Sequence, residues 1–282
     1  MALFDQVLLT VDFDRTFTDP NSAIPAQNLE AVRYFTENGG AFTINTGRSV
    51  GVFWHYLDKL PVNAPYLMYN GAVIYEKGKF LDCQTIDLDM WQTIRTVADL
   101  FPDMNLEIQG TNTHYLVNQR PEMVTFYDAQ NWLHEEAVFG ADIGPFIKFA
   151  LFGRAQGTAV GEMFSATEEE QIRFDEAEQT LRQLFGDKVD ICRAATRIID
   201  VQAKGVSKGN AARRLQKMLN RKILVCVGDA DNDVAMLNEA DYAYCPADSI
   251  LAGQYETVCS CAEGAVADVI YKKIPAILNI HP

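Results

Sequence analysis

Two unbroken apolar runs, one near each end of the chain, stand out in the pattern of hydrophobic and polar positions. Residues 7–11 (VLLTV) and 223–227 (ILVCV) show no alternation, which is typical of strands buried on both faces of a parallel sheet. The first run ends in Asp12 and Asp14, and the second ends in Asp229. Because parallel sheets bind ligands beyond the carboxyl ends of their strands, these acids mark the expected functional edge of the sheet.

The outer thirds of the chain alternate between predicted strands and helices. A helix is predicted from Pro25 to the Gly39-Gly40 pair, and further strands are predicted at residues 41–45 and 66–69. The apolar stripe of Val50, Phe53, Trp54 and Leu57 predicts a helix between these two strands. This rhythm predicts an α/β fold with a Rossmann-like, doubly wound parallel sheet.

The middle third has a different pattern, which indicates an inserted α+β domain. It predicts helices at residues 90–101 and 177–185, a hairpin from residues 105–109 and 113–117, and a half-buried strand at 147–151. We therefore predict a core domain of residues 1–82 and 200–282, and an inserted cap domain of residues 83–199.

The composition excludes some classes of partner. The 24 Lys and Arg residues stand against 38 Asp and Glu residues, a net charge of −14, which disfavours nucleic acid and anionic membrane surfaces. No apolar run reaches membrane-spanning length and no leader pattern precedes the first strand, so a cytoplasmic protein is expected. The six cysteines lack the spacing of a zinc site and are expected to be reduced.

The acids at the strand ends could serve a cation. Asp12 and Asp14 are two residues apart, so an extended backbone would aim both side chains to one side, where they could hold Mg²⁺. Alternatively, the two acids have no function and are solvated where the strand ends and the loop begins. Asp12 and Asp14 are part of a larger set of groups that a phosphoryl-transfer site requires. The other members are Thr46, Lys208, Asp229, Asn232 and Asp233.

Four motifs in order resemble those of the haloacid dehalogenase-like hydrolase superfamily, and within it the Cof-type phosphatases with a large cap of the C2B (IIB) type. They are Asp12-Phe13-Asp14-Arg15-Thr16, Thr46-Gly47-Arg48, the segment Gly-Val-Ser-Lys-Gly around Lys208, and the segment 228–233 (GDADND). Asn70-Gly71-Ala72 is similar to the family's signature after the third strand. The resemblance implies a Mg²⁺-dependent hydrolase of small phosphorylated metabolites, with sugar phosphates as the expected class.

The resemblance also implies roles for individual residues. Asp12 would be the nucleophile that forms an aspartyl-phosphate, and Asp14 would be the general acid and base. Mg²⁺ would be held by the Asp12 carboxylate, the Asp14 backbone carbonyl and the Asp229 carboxylate. Lys208 and Thr46 would hold the phosphate oxygens.

Further residues are expected around the substrate. Asn232 would contact phosphate or metal-bound water, and Asp233 would orient Lys208 or the metal's surroundings. Gly47, Arg48 and Asn70 are also expected at the substrate, although a surface ion pair would explain Arg48 equally well.

The sequence departs from the family pattern at two places. Arg15 replaces the small residue that usually stands between Asp14 and Thr16, and Cys245-Pro246-Ala247-Asp248 replaces the usual turn after a late core strand. Two alternative functions stay open from the sequence: a phosphomutase of the same superfamily, and a phospho-ligand-binding protein that has lost turnover, through Arg15 for example.

Overall fold

The computed structural model describes residues 2–153 and 166–280, and its helices and strands are numbered here in chain order. The strands are β1 Val7–Val11, β2 Ala41–Ile44, β3 Tyr66–Met68, β4 Val73–Glu76, β5 Lys79–Cys83, β6 Asn105–Gln109, β7 His114–Val117, β8 His134–Glu136, β9 Lys148–Phe152, β10 Val189–Ala195, β11 Ile198–Ala203, β12 Ile223–Val227, β13 Tyr242–Pro246 and β14 Glu256–Val258. The α-helices are α1 Ala26–Glu37, α2 Val50–Phe53, α3 Met90–Leu100, α4 Pro121–Gln130, α5 Glu168–Phe185, α6 Lys208–Met218, α7 Val234–Glu239, α8 Ala265–Asp268 and α9 Ile274–Ile277.

The contacts within the chain form two compact units. The first unit contains the described residues up to Gly47, residues 56–82 and the described residues from Ser207 onward. The second contains residues 48–55 and the described part of residues 83–206. Residues 154–165 of the predicted cap domain lie outside the described residues, and the domain boundaries drawn from the sequence stay a prediction.

The first unit is built on a five-stranded parallel sheet, which confirms the predicted fold class. Its strand order is β14-β13-β12-β1-β2, so the chain winds outward from β1 in one direction and later returns to the other side of β1. The winding direction therefore reverses between β1 and β12, and open α/β sheets bind ligands at such a point. Val11 lies beside Val227 across this junction.

The core of this unit explains why the central strands lack alternation. All five residues of β1 are buried, since α1 and the C-terminal helices cover one face and α6 and α7 cover the other. Buried Phe13 and Phe17 anchor the turn that follows β1. The rigid sheet thus fixes the loops at its carboxyl edge.

Two predicted elements of the outer thirds differ in the structure. Tyr66–Met68 joins the parallel sheet only through one bridge between Asn45 and Leu67, and it heads a separate antiparallel sheet with β4 and β5. The helix predicted from residue 50 spans only Val50–Phe53 and continues as turns. The first difference arises because the short turn after Met68 pairs β3 with β4, the next strand along the chain.

The second unit contains a six-stranded sheet in the order β10-β11-β9-β6-β7-β8. The predicted hairpin is confirmed, with Gln109 opposite His114 in β6 and β7. The predicted helix at 177–185 begins earlier, at Glu168, where Thr167 and Glu170 form a capping box.

One face of this sheet carries buried polar side chains. Lys148 and Asp200 form a buried ion pair. Nearby, the Nδ1 atom of His114 lies 2.9 Å from Glu107 Oε2, and its Nε2 atom contacts the Ser49 hydroxyl. Because a carboxylate accepts the Nδ1 proton, Nε2 is the acceptor for Ser49. This hydrogen-bond chain joins the segment of residues 48–55 to the rest of the second unit.

All six cysteines are free thiols, in agreement with the expectation from their spacing. Among the described residues, no helix combines the length and the apolar character needed to cross a membrane.

Candidate active site

Asp12 lies at the carboxyl end of β1, at the point where the sheet reverses its winding direction. Its backbone N–H donates to the Val227 carbonyl of β12 at 2.9 Å, which extends the parallel ladder by one residue. Its own carbonyl accepts from Phe17 N–H at 3.2 Å and so closes the following turn. Its side chain is 9% exposed, so the carboxylate is largely enclosed by the site.

Lys208 joins two distant parts of the chain at this carboxylate. Its Nζ donates to Asp12 Oδ1 at 2.5 Å and to Asp233 Oδ1 at 2.6 Å. Lys208 is the first residue of α6, where the helix dipole disfavours a cation, and it is only 1% exposed. The two carboxylates compensate for this position, because a buried ammonium is stable only when it is paired.

Asp229 and Asp233 follow β12 in a short helical turn. Asp233 Oδ2 accepts from the backbone N–H groups of Asp229 and Ala230 at 3.0 and 3.2 Å. The Thr16 hydroxyl donates to Asp229 Oδ1 at 3.0 Å. A Cβ atom at Gly228 would lie 2.5 Å from Asp233 Cβ, so this position requires glycine. The loop after β12 is thereby held against the turn after β1.

The site carries more negative than positive charge. Burial, followed by the charge of Asp233, raises the pKa of Asp12 well above its usual range and that of Asp229 to about 6. Burial opposes the charged form of Lys208 as well, but Asp12 and Asp233 more than reverse this effect and raise its pKa. The folded protein therefore holds carboxylates at a free-energy cost that a further cation would reduce.

The donor atoms fit a hard divalent cation. Carboxylate oxygens of Asp12, Asp229 and Asp233 lie within 4.8 Å of one another. Both oxygens of Asp233 already accept hydrogen bonds from Lys208 and the backbone, so Asp12 and Asp229 are the carboxylates better placed to bind an ion. Oxygen ligands of this kind suit Mg²⁺. The metal set predicted from the sequence, Asp12, the Asp14 carbonyl and Asp229, stays a prediction.

Thr46, Gly47 and Asn70 lie together beyond β2 and β3. Thr46 N–H donates to the Leu67 carbonyl at 2.8 Å, and Asn70 N–H donates to the Thr46 carbonyl at 3.1 Å. A Cβ atom at Gly47 would lie 2.6 Å from Asn70 Oδ1, so the two residues approach too closely for a side chain there. The loops that carry these three residues thus form one packed group.

Other predicted residues are placed differently. Arg48 is the first residue of the second unit, and its place at the substrate stays a prediction. Asn232 is exposed on the turn after β12, and Asp14 is half-buried after β1. Asp14 is also absent from the carboxylate cluster found among the described residues.

Two residues of the site received no role from the sequence. Thr16 was visible only as the last member of the first motif, although its hydroxyl holds Asp229. Asn45 is completely buried, and its Nδ2 donates to the Lys208 carbonyl at 2.9 Å. A polar residue at the end of an apolar strand was the signal that could have indicated Asn45.

Comparison with known proteins gives consistent results. The sequence profile of the haloacid dehalogenase-like hydrolases matches residues 9–252. The chain is 25% identical over 285 residues to an HMP-PP phosphatase of Serratia proteamaculans, covering 92% of each chain. It is 22% identical over 274 residues to a 5-amino-6-(5-phospho-D-ribitylamino)uracil phosphatase of Escherichia coli, covering 94% of this chain and 95% of that protein.

The solved structures agree at the level of the fold. A crystallised subclass IIB sugar phosphatase superposes with a TM-score of 0.74 at 18% identity, covering 97% of this chain and 99% of that one. The profile match, which spans most of the chain, includes the loops of Asp12, Lys208 and Asp229. The chain therefore belongs to the haloacid dehalogenase-like hydrolase family, within which it is a phosphatase of the Cof type.

Proposed function

We propose that the protein is a Mg²⁺-dependent phosphomonoester hydrolase that acts on small phosphorylated metabolites, sugar phosphates or related compounds. The observation that carries this proposal is the buried chain of Asp12, Lys208 and Asp233, with Asp229 beside it at the sheet's switch point. This arrangement combines a carboxylate nucleophile, a fixed cation for phosphate oxygens and a site for a divalent ion.

The reaction has two displacements. An Asp12 carboxylate oxygen attacks phosphorus, the ester P–O bond breaks, and Asp14 gives its proton to the leaving oxygen. Asp14 then removes a proton from a water molecule that attacks the aspartyl-phosphate. The bond between Asp12 and phosphorus breaks, and phosphate leaves with Asp12 restored.

The remaining residues position charge. Lys208, held by Asp233, would bind an equatorial phosphate oxygen with Thr46, because phosphoryl transfer depends mainly on positioning and charge stabilisation. The residues proposed to hold Mg²⁺ are Asp12, Asp229 and the backbone carbonyl of Asp14. When bound, Mg²⁺ would supply positive charge that offsets the repulsion between Asp12 and the phosphate dianion.

The substrate class is supported by the relatives. The names of the Serratia and Escherichia proteins describe phosphatases of small phosphorylated compounds, and the subclass IIB structure is called a sugar phosphatase. A polymeric substrate is disfavoured, because the chain's net charge of −14 repels nucleic acid.

Turnover of p-nitrophenyl phosphate tests the mechanism. We expect hydrolysis with Mg²⁺, loss of activity with EDTA that Mg²⁺ restores, and a fall of at least about a thousandfold in kcat for Asp12→Asn, because the amide is a very poor nucleophile. With a sugar phosphate as substrate, net release of phosphate would indicate a hydrolase, whereas movement of the phosphate between two carbons without release would indicate a mutase.

Asp231→Asn provides the matched control. Asp231 lies in the same turn as Asp233 but is exposed, and we assign it no role, so the same chemical change should leave kcat within about threefold of the parent value. Undiminished turnover in Asp12→Asn, or full activity in EDTA, would contradict the mechanism. A panel of phosphorylated metabolites would then identify the substrate.

A further inference from the structure

Arg15 occupies a strained position beside the site. It follows Asp14 in the turn after β1 and has a backbone φ of 59°, in the left-handed region that costs free energy for any residue with a Cβ atom. Its backbone N–H donates to the Thr18 hydroxyl at 3.2 Å, which holds the turn in this form. Strain of this kind is concentrated at functional sites.

The Arg15 side chain is exposed. Its guanidinium forms no hydrogen bond or ion pair with any residue that the structure describes. Lys208, the cation in contact with Asp12, is buried between two carboxylates. The Arg15 guanidinium, in contrast, stays available to a ligand.

Its charge nevertheless reaches the site. Burial raises the pKa of Asp229, and the positive charges of Lys208 and Arg15 act against that rise. Asp248, in the loop after β13, also experiences the Arg15 charge: burial raises its pKa, but hydrogen bonds from Cys261 together with Arg15 leave it lower than usual. The Arg15 charge thus acts on the carboxylates of two loops, and its guanidinium pairs with neither.

The position of Arg15 in the chain indicates which part of a substrate it would contact. It is bonded directly to Asp14, the residue that we propose protonates the leaving oxygen. If Asp14 protonates the leaving oxygen, its neighbour Arg15 would lie on the side of the leaving group, whereas the oxygens of the transferred phosphoryl group are assigned to Lys208 and Thr46.

We propose that Arg15 is a specificity-determining residue for phosphate esters whose leaving group carries a second anionic group close to the ester oxygen. This inference rests on the proposed function and extends it. The guanidinium would donate charge-assisted hydrogen bonds to a phosphate or carboxylate of the leaving group. It also reduces the repulsion that the acids of this edge exert on such a substrate.

Matched substrate pairs test the proposal on the full-length protein. 3-Phosphoglycerate and glycerol 3-phosphate differ in a carboxylate against a hydroxymethyl group, and ethylene glycol bisphosphate and 2-hydroxyethyl phosphate, which are both alkyl phosphate esters, differ in a second phosphate. We expect the parent protein to favour the anionic member of at least one pair by about tenfold or more in kcat/KM. The two pairs distinguish a carboxylate from a phosphate as the preferred group.

Two substitutions remove the charge while respecting the backbone. Arg15→Gly and Arg15→Asn both suit a positive φ, so the unfolding temperature of each variant should be equal to or higher than that of the parent. We expect each to lower the preference for the anionic substrate by about tenfold, and Arg15→Lys to retain part of it. Arg33→Asn, at an exposed position of α1, removes the same charge away from the site and should leave the preference unchanged.

An equal kcat/KM within both pairs for the parent, or an unchanged preference in Arg15→Gly and Arg15→Asn, would overturn the proposal. Calorimetric binding of the same ligands to Asp12→Asn protein, with and without Arg15→Gly, separates it from the proposed hydrolysis. Binding that depends on Arg15 without any turnover would contradict only the hydrolase, whereas turnover and binding that ignore Arg15 would contradict only this inference.

Discussion

At the scale of single residues, the candidate site contains buried acids whose ionisation lowers the stability of the folded protein. Asp12, Asp229 and Asp233 are held together in the protein interior, although like charges and burial oppose their ionisation. Lys208 offsets part of this cost through Asp12 and Asp233. What remains is a group of acids whose folded state is less stable at neutral pH than it would be with neutral side chains.

The Asp229→Asn variant tests this cost. The pKa of Asp229 is raised to about 6, so between about pH 4 and pH 6 the folded state binds more protons than the unfolded state, and stability falls as pH rises. In EDTA at pH 8 we expect the variant to be more stable than the parent, by up to about 3 kcal/mol. The Thr16 hydroxyl can still donate to the amide oxygen.

Thermal unfolding at several pH values provides the measurement. The difference between the variant and the parent should shrink towards zero below about pH 4, where Asp229 is protonated in both states. Added Mg²⁺ should raise the unfolding temperature of the parent more than that of the variant. A variant that is less stable than the parent at pH 8 would contradict the charge cost that we assign to the Asp229 carboxylate.

At the scale of elements, the packing of two turns against α6 determines where Lys208 lies. Gly71 has a φ of 97°, and a Cβ atom there would lie 2.4 Å from the Ser207 carbonyl oxygen. Ser207 caps α6, because its hydroxyl accepts from Asn210 N–H at 3.1 Å. A side chain at Gly71 would therefore displace the start of the helix that carries Lys208.

Gly71→Ala should be strongly destabilising, by about 3 kcal/mol or more, since it combines a positive φ with a clash against backbone. Gly78→Ala is the matched control, because Gly78 has a φ of 83° but no atom within 4 Å of its Cβ position. We expect about 1 kcal/mol for that change. Urea unfolding gives both values, and equal losses would show that the Gly71 contact can relax.

In the second unit, two hydrogen bonds connect Ser49 through His114 to Glu107. Replacing His114 with Ala removes a buried base between a hydroxyl and a carboxylate, which should cost about 3 kcal/mol. His134 lies beside His114 in the neighbouring strand but is half-buried, so His134→Ala should cost under about 1 kcal/mol.

Hydrogen exchange of peptides from β6 and from residues 48–55 would locate the effect of His114→Ala. We expect faster exchange in both segments, because the histidine links them. Faster exchange confined to β6 and β7 would show that residues 48–55 are held in the second unit by other contacts.

At the scale of the whole molecule, the sequence predicted the parallel core sheet, which the structure confirms, and it singled out Asp12, Lys208 and Asp233, whose side chains the structure places in hydrogen-bond contact. Both were accessible because buried parallel strands and short motifs are local signals. The grouping of residues 48–55 with the second unit was not predictable in this way. It depends on contacts distant in sequence, such as that of Ser49 with His114, 65 positions away, and those of Gly51 and Trp54 with residues 131–133, and no local pattern indicates them.

The buried polar face of the second unit was equally hidden. Lys148 alternates with apolar neighbours as a solvent-facing residue would, yet it is 3% exposed and paired with Asp200. Alternation shows that the two faces of a strand differ in polarity, but it does not show whether the polar face is exposed to solvent. Pairing between distant residues decides that question.

The grouping of residues 48–55 with the second unit has a practical consequence for chimaeras made from related proteins. The polypeptide passes from one unit to the other at four places, after Gly47, His55, Asp82 and Val206. A chimaera made by exchanging residues 83–206 alone would keep the native Ser49 but replace His114 and its neighbours with those of another protein. A graft that carries both segments would keep that hydroxyl with its own acceptor, but it would introduce two further junctions, next to Gly47 and Tyr56.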